Sequence, residues 1–371
     1  MTGLELLSKI TASGQLEVWL HEVTVPKPAA DEVVVRVEAT PLNPSDIGLL
    51  FGAADLSTLQ SGGTPERPTL SATVPAARMP AMAGRVDQAL PVGNEGAGTV
   101  VDAGSDAREL AGHLVATRTP GMYAQYRVAK LADCIVLPNG TPPAAGASAF
   151  VNPLTALGMV ETLRREGHRG IVHTAAASNL GQMLVRLCRA DSIPLVNVVR
   201  SPQQVALLRE LGATHVVDST SDTFVDELTE AIEQTGATLA FDAIGGGTLG
   251  DTILAAIERV ASRNATVYSR YGSSVHKQLY IYGGLDTSPT ILNRSYGMAW
   301  GIGGWLVFSY LQKLGPEGFA RLRDRVAAEL TTTFASTYSA EITLAETLAP
   351  ATVAAYTKRA TGEKYLITPN R

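Results

Sequence analysis

Three apolar runs separated by helical stretches, all between residues 170 and 217, constrain this chain more than any other feature. Gly170-Ile171-Val172-His173 is short enough for a buried strand, and Leu180, Met183, Leu184, Leu187 and Cys188 then recur at helical spacing. A second run, Leu195-Val196-Asn197-Val198-Val199, ends at Arg200. Ser201 follows as a helix cap, Pro202 as the first helical position and Gln204 as the reciprocal capping partner. That helix carries Val205, Leu207, Leu208 and Leu211 and stops at Gly212, before a third run from Thr214 to Val217. Strands alternating with helices predict an α/β fold with a doubly wound parallel sheet.

The segment His173 to Gly181 lies between the first strand and its helix, the order a phosphate-binding turn requires. It resembles a dinucleotide-binding turn in which most of the expected glycines are replaced. Ala176, Ser178, Asn179, Leu180 and Gly181 are the expected cofactor contacts. Ser178 and Asn179 can donate to phosphate, and Asn tolerates a left-handed backbone. Both a binding-competent variant and a vestigial turn fit this pattern. Arg200 closes the second strand, where a carboxylate would hold a ribose diol and an arginine can pair with a 2′-phosphate. NADP is therefore expected over NAD, the alternative being an ordinary exposed arginine. Gly245, in the run Gly245-Gly246-Gly247 after the strand around Phe241, offers either close backbone access to the cofactor or a flexible turn. Asp242 reads as a local cap. Tyr271 follows an expected strand from Ala265 to Tyr268 and either lines the nicotinamide site or packs as an aromatic.

With 371 residues, 45% hydrophobic and 18% charged, the chain suits two globular domains. Its formal net charge of -5 gives no general attraction to nucleic acid or an anionic membrane. Cys134 and Cys188 are the only cysteines, too few for a multi-cysteine zinc cluster and expected as inert core thiols. Met1 to Leu20 lacks a signal-like apolar core. A soluble protein in a reducing, cytoplasmic compartment is the simplest expectation.

The N-terminal part has a different texture. A strand around Glu32 to Val37 and strand-like stretches at Leu114 to Thr117, Tyr126 to Ala129 and Cys134 to Leu137 are punctuated by prolines and glycines, an irregular all-β pattern. Between them, Gly52 to Gln88 is rich in Gly, Pro, Ala, Ser and Thr and exceeds an ordinary connector. A substrate-covering loop, a dimer contact and a disordered insertion all fit it, with a mobile lid preferred. Met298 to Leu311, with Trp300, Trp305, Phe308 and Tyr310, is too interrupted to span a membrane and reads as a substrate wall or a subunit contact. A helix is expected over 315–330 and a last strand at Tyr365-Leu366-Ile367.

Four further motifs occur in one order: Asn43-Pro44-Ser45-Asp46, Gly93-Asn94-Glu95-Gly96-Ala97-Gly98, Gly121-Met122-Tyr123-Ala124-Gln125-Tyr126 and Pro153-Leu154-Thr155-Ala156. Together with the nucleotide turn and Phe241-Asp242-Ala243-Ile244-Gly245-Gly246, they resemble the medium-chain dehydrogenases/reductases, and within them the zinc-independent quinone oxidoreductase branch. The resemblance implies a GroES-like, barrel-like β catalytic domain over 1–145, a Rossmann cofactor domain with its connecting helix over 146–330, and a return to the catalytic domain over 331–371. It also implies a homodimer, adds Thr155 to the cofactor contacts, and brings Asn43, Asp46 and Tyr123 near the catalytic cleft.

In the zinc alcohol dehydrogenases of that superfamily, a Cys stands where this chain has Asn43 and a His where it has Asn94. Neither Cys134 nor Cys188 matches the remaining ligand position, so no zinc is expected. Without a metal, alkoxide formation is disfavoured, whereas hydride delivery from NADPH to a small hydrophobic quinone or conjugated enone needs only geometry and a hydrogen bond to the oxygen gaining charge. Asn43 is the leading candidate for that polar contact, and Asp46 serves either chemistry or the backbone of its own turn. The related enoyl-thioester reductases carry an active-site Tyr soon after the position of Asn43, but the first Tyr here is Tyr123. Enoyl-thioester reduction stands as the alternative activity, and a nonenzymatic nucleotide-sensing or partner-binding protein as the alternative class.

Overall fold

Each run of β-branched residues in the central segment becomes a parallel strand, because strands covered by helices on both faces must be apolar on both. The computed structural model describes residues 1–358 and 361–371, which divide into two compact units, Met1–Val151 with Arg325–Arg371, and Asn152–Asp324. Among the described residues of the second unit there is a six-stranded sheet. Its order is His215–Asp218, Leu195–Val199, Ile171–His173, Leu239–Asp242, Lys277–Ile281 and Trp300–Gly304, all parallel. The strand order reverses beside Ile171–His173, the switch point where ligands of such sheets bind at the carboxyl ends. Ile171, Val172, Val196, Leu239 and Ala240 are fully buried, and the helices Asn179–Ala190, Pro202–Glu210, Phe224–Thr235 and Leu249–Arg263 alternate with the strands.

The fifth strand lies later in the chain than its expected position at Ala265 to Tyr268. Residues 265–268 form no strand, and Tyr268 is 90% exposed. The strand is Lys277–Ile281, whose first residue disguised it. Lys277 is fully buried and neutralised by Glu258, with Nζ 2.6 Å from Oε2. Hydrogen bonds from Lys277, Ser273 and Ser262 outweigh burial, which acts upward, and hold the Glu258 carboxyl down to about 2. The helix expected over 315–330 spans Val307–Ala328 and is broken at Gly315, where φ is 80° ahead of Pro316.

The first unit is mainly β. One five-stranded sheet runs Asp55–Gly63, Pro68–Thr73, Gln15–Thr24, Thr2–Ile10 and Leu90–Pro91. A second sheet joins Glu32–Pro41 to Gly96–Ala103, Tyr126–Lys130 and the C-terminal strand Tyr365–Ile367. Period-two alternation in Gln15–Thr24 sends Leu16, Val18 and Leu20 into a core shared with Leu6, Ile10, Leu50, Phe51, Leu70 and Ile367. The segment 52–88 is not a structureless lid or insertion, because Asp55–Gly63 and Pro68–Thr73 pair antiparallel and extend the first sheet. Its small polar residues suit an edge strand with little burial, a composition shared with loops.

The units divide after residues 151 and 324 rather than 145 and 330. Buried Glu95 accepts the backbone N–H groups of Phe150 and Val151 at 2.8 and 2.9 Å, fastening that stretch to the first unit. Among the described residues, no helix is long and apolar enough to cross a membrane.

Candidate functional site

The turn after Ile171–His173 closes without its customary glycines because Ala175 itself adopts the left-handed conformation, with φ 50°. The methyl groups of Ala176 and Ala177 are packed inward, 0% and 2% exposed. Ser178 caps the helix Asn179–Ala190, its Oγ accepting the Gly181 N–H at 3.2 Å, which leaves the hydroxyl hydrogen available. Gly181 is the glycine the turn cannot replace, since a Cβ there would lie 2.0 Å from the Ala176 carbonyl oxygen. Leu180 is 8% exposed, its side chain packed inward. The helix N-terminus thus meets the carboxyl edge of the sheet with its first-turn amides, the arrangement that attracts phosphate.

Other groups gather along that edge. Thr174 donates to Asp242 Oδ1 at 2.7 Å, and Asp242 accepts the N–H groups of Ile244 and Gly245 at 2.9 and 3.0 Å. Asp242 is the local cap that its position suggested. Gly245 has φ 83°, and its carbonyl accepts the Thr290 hydroxyl at 2.6 Å. Arg200 is exposed at the end of Leu195–Val199, its N–H donating to Gln204 Oε1 at 2.9 Å. Beside it, a cavity of about 430 Å³ is lined by Pro202, Val205, Asp218, Thr220, Ser221 and Glu227. Thr155 lies on the buried side of the helix Val151–Glu166.

A cavity of about 420 Å³ opens beyond the carboxyl ends of Lys277–Ile281 and Trp300–Gly304, lined by Tyr282, Gly283, Gly304, Trp305, Leu306 and Ser309. Trp305 is held edge-on to Phe241 at 5.5 Å between ring centroids and donates Nε1–H to Thr162 Oγ1 at 3.2 Å. Tyr282 stacks on His173 with centroids 5.7 Å apart and shares a 2.7 Å hydrogen bond with its Nε2. Burial holds the His173 imidazole down to about 3, so it is neutral. Tyr282 directly follows the strand Lys277–Ile281, as Tyr271 was expected to follow a strand over 265–268. Tyr271 is 58% exposed in the preceding loop, under the Arg270 guanidinium, and does not line this cavity. The alternation Leu279-Tyr280-Ile281-Tyr282 before Gly283-Gly284 was the overlooked signal.

In the first unit, Asn43, Asp46 and Tyr123 do come together, with Asn94 and Glu95. Asn43 caps the helix Pro44–Phe51, its N–H donating to Asp46 Oδ2 at 2.8 Å and its Nδ2 to Glu95 Oε1 at 2.8 Å. Asn94 Nδ2 donates to Asp46 Oδ1 at 2.6 Å and lies 3.3 Å from Ser45 Oγ. Burial raises Asp46 to about 7, aided by the Glu95 charge and opposed by the bonds from Asn43, Tyr123 and Asn94. Burial also pushes Glu95 up, against the pull of Lys364 and its N–H donors. Lys364 donates to Ser148 Oγ at 2.8 Å, and burial draws it down to about 8 against Glu95 and Asp46.

Tyr123 is a correction. It is fully buried, its hydroxyl donates to the Pro41 carbonyl at 3.1 Å, and burial first, then Asp46, raise it well above the usual phenol range. It is a core residue rather than a proton donor to a ligand. The two asparagines at the positions of zinc ligands are occupied by carboxylates, and among the described residues no group of three or more His, Cys, Asp or Glu could hold a metal ion. Cys134 and Cys188 are buried free thiols.

Comparison with known proteins follows the same lines. A family profile described as "Zinc-binding dehydrogenase" matches residues 180–267. The mitochondrial enoyl-[acyl-carrier-protein] reductase of Xenopus tropicalis is 29% identical over 208 residues, 53% of this chain and 51% of that protein. The chain therefore spans about half the length of the curated relatives it matches. In fold, it is similar to a putative NADPH:quinone reductase from Mesorhizobium loti, with a TM-score of 0.74 at 24% identity over 99% of this chain and 98% of that one. It is also similar to the Etr1p/NADP/crotonyl-CoA complex, with a TM-score of 0.69 at 23% identity over 99% and 100%.

Proposed function

We propose that this chain belongs to the zinc-independent, quinone-oxidoreductase-like and enoyl-reductase-like branch of the medium-chain dehydrogenases/reductases, and that it is an NADPH-dependent oxidoreductase acting on a conjugated carbonyl or enoyl-type compound. The observation that carries this reading is the glycine-poor turn, whose backbone remains shaped for a dinucleotide. Ala175 supplies the left-handed residue, the inward methyls of Ala176 and Ala177 leave the helix N-terminus clear, and Gly181 keeps the helix against the turn. These residues fit the cofactor. The first turn of Asn179–Ala190 would hold the pyrophosphate, Arg200 the 2′-phosphate, and the cavity at Tyr282 and Trp305 the nicotinamide end. NADPH, when bound, supplies the hydride.

The protein's own part is orientation and control of protons. Burial brings the titration of the Asp46 carboxyl group up to about 7, and Glu95 and Asp46 lock the amides of Asn43 and Asn94. Asn43 is therefore read as a positioning residue. An enoyl thioester is favoured over a quinone or simple enone as acceptor, because enoyl reductases recur among the relatives. The quinone reading draws its support from the quinone reductase folds.

The test is a fluorescence titration with NADPH, followed by the loss of reduced-cofactor absorbance on adding a trans-2-enoyl thioester or a quinone. Faster oxidation with the thioester is the expected result. Tight NADPH binding with no turnover across thioesters, enones and quinones would sink the proposed chemistry.

A further inference from the structure

His173 is completely buried, and among the described residues its ring makes one hydrogen bond, to Tyr282, and its Nδ1 has no partner. The two neutral tautomers of this imidazole therefore have different consequences. With the proton on Nδ1, a buried N–H is left without an acceptor while the Tyr282 hydroxyl is consumed as donor to Nε2. With the proton on Nε2, only a lone pair is unpaired, and Tyr282 accepts rather than donates. Orphaned buried N–H groups are rarer than under-satisfied acceptors, so the second arrangement is preferred. Among the described residues no other hydrogen bond involves the Tyr282 hydroxyl, and Tyr282 lines the cavity of about 420 Å³ beside Trp305 and Ser309.

We propose that His173 donates Nε2–H to the Tyr282 oxygen, so that Tyr282 presents its own O–H to the cavity as the donor for a ligand carbonyl oxygen. His173 is then a positioning residue, and Tyr282 the group that selects a planar, carbonyl-bearing ligand. Such an oxygen belongs either to the carboxamide of a nicotinamide or to the conjugated acceptor. The ligand assignment rests on the oxidoreductase reading above, whereas the tautomer does not. Buried imidazole cannot easily charge, so the arrangement persists across the neutral range.

Long-range proton–nitrogen correlation spectra of the full chain labelled at histidine, with His173 assigned by its loss in His173→Gln, read the tautomer directly. The Nε2–H pattern is expected, and the Nδ1–H pattern overturns the proposal. Tyr282→Phe should then lose about 3- to 10-fold, the scale of one neutral hydrogen bond. The loss falls on NADPH affinity if the oxygen is the carboxamide, or on kcat/KM for the enoyl thioester at saturating NADPH if it belongs to the acceptor. No loss in either quantity overturns the proposal. His173→Gln keeps an amide donor for Tyr282 and should retain more activity than His173→Leu, a difference that a purely structural role would not produce. Because the tautomer is read without cofactor, an Nε2–H protein that never oxidises NADPH would count against the oxidoreductase reading alone.

Discussion

Asp46 shows at the scale of one residue how burial turns an ordinary helix-cap partner into a titrating group. Its folded value of about 7 lies above the unfolded value of 3.8, because burial penalises the charged form more than the bonds from Asn43, Tyr123 and Asn94 favour it. The folded chain therefore binds this proton more tightly than the unfolded chain. The resulting stability is complete below about pH 3.8 and is lost as pH rises through about 7. A shift of about three units corresponds to about 4 kcal/mol. Asp46→Asn should remove that dependence, so that the variant gains on the natural protein as pH rises from 4 to 8. Urea unfolding at several pH values measures the difference, and parallel stability curves for the two proteins would refute it.

The helix Asn179–Ala190 is the element on which the nucleotide reading depends, and two residues at its start act differently. Ser178→Ala deletes one cap and should cost about 1 kcal/mol, leaving the turn in place. Gly181→Ala drives a methyl group against the Ala176 carbonyl, which is backbone and cannot swing aside. The helix must shift, so this variant should lose more stability than Ser178→Ala and weaken NADPH binding at least 10-fold. Urea unfolding and fluorescence titration separate the two effects. Equal NADPH affinity in both variants would mean that close helix packing is not what shapes the site.

For the whole molecule, the decisive fact is that the chain leaves its first unit after Val151 and re-enters it at Arg325. The last strand, Tyr365–Ile367, pairs with both Glu32–Pro41 and Ala340–Ile342, and Leu366 and Ile367 are 1% and 0% exposed. Asn370 Nδ2 also donates to the carbonyls of Val37 and Gln125, both at 2.8 Å. Ending the chain at Lys364 should therefore cost the first unit about 3–6 kcal/mol from two lost apolar side chains, before any lost pairing. Calorimetry should show its transition lowered or abolished. A shortened chain melting like the full one would contradict this topology.

The sequence by itself determined the parallel sheet around Ile171, Val196 and Val217, because burial on both faces writes a continuous apolar run that composition alone can carry. It also determined the cap at Ser201, which is local chemistry, and the last strand at Tyr365. Partnerships between distant residues needed the tertiary structure. Lys277 reads as a strand breaker until Glu258 neutralises it, and the segment around Asp55 and Leu70 reads as loop until it pairs on an existing sheet. Tyr123 reads as a residue near the catalytic cleft until the carbonyl of Pro41 is placed on its hydroxyl, and His173 and Tyr282, whose strands are separated by Leu239–Asp242, become a pair only in the folded sheet. Periodicity and capping act within a few residues of chain, whereas neutralising a buried charge, orienting a hydroxyl or completing an edge depends on partners that only folding delivers.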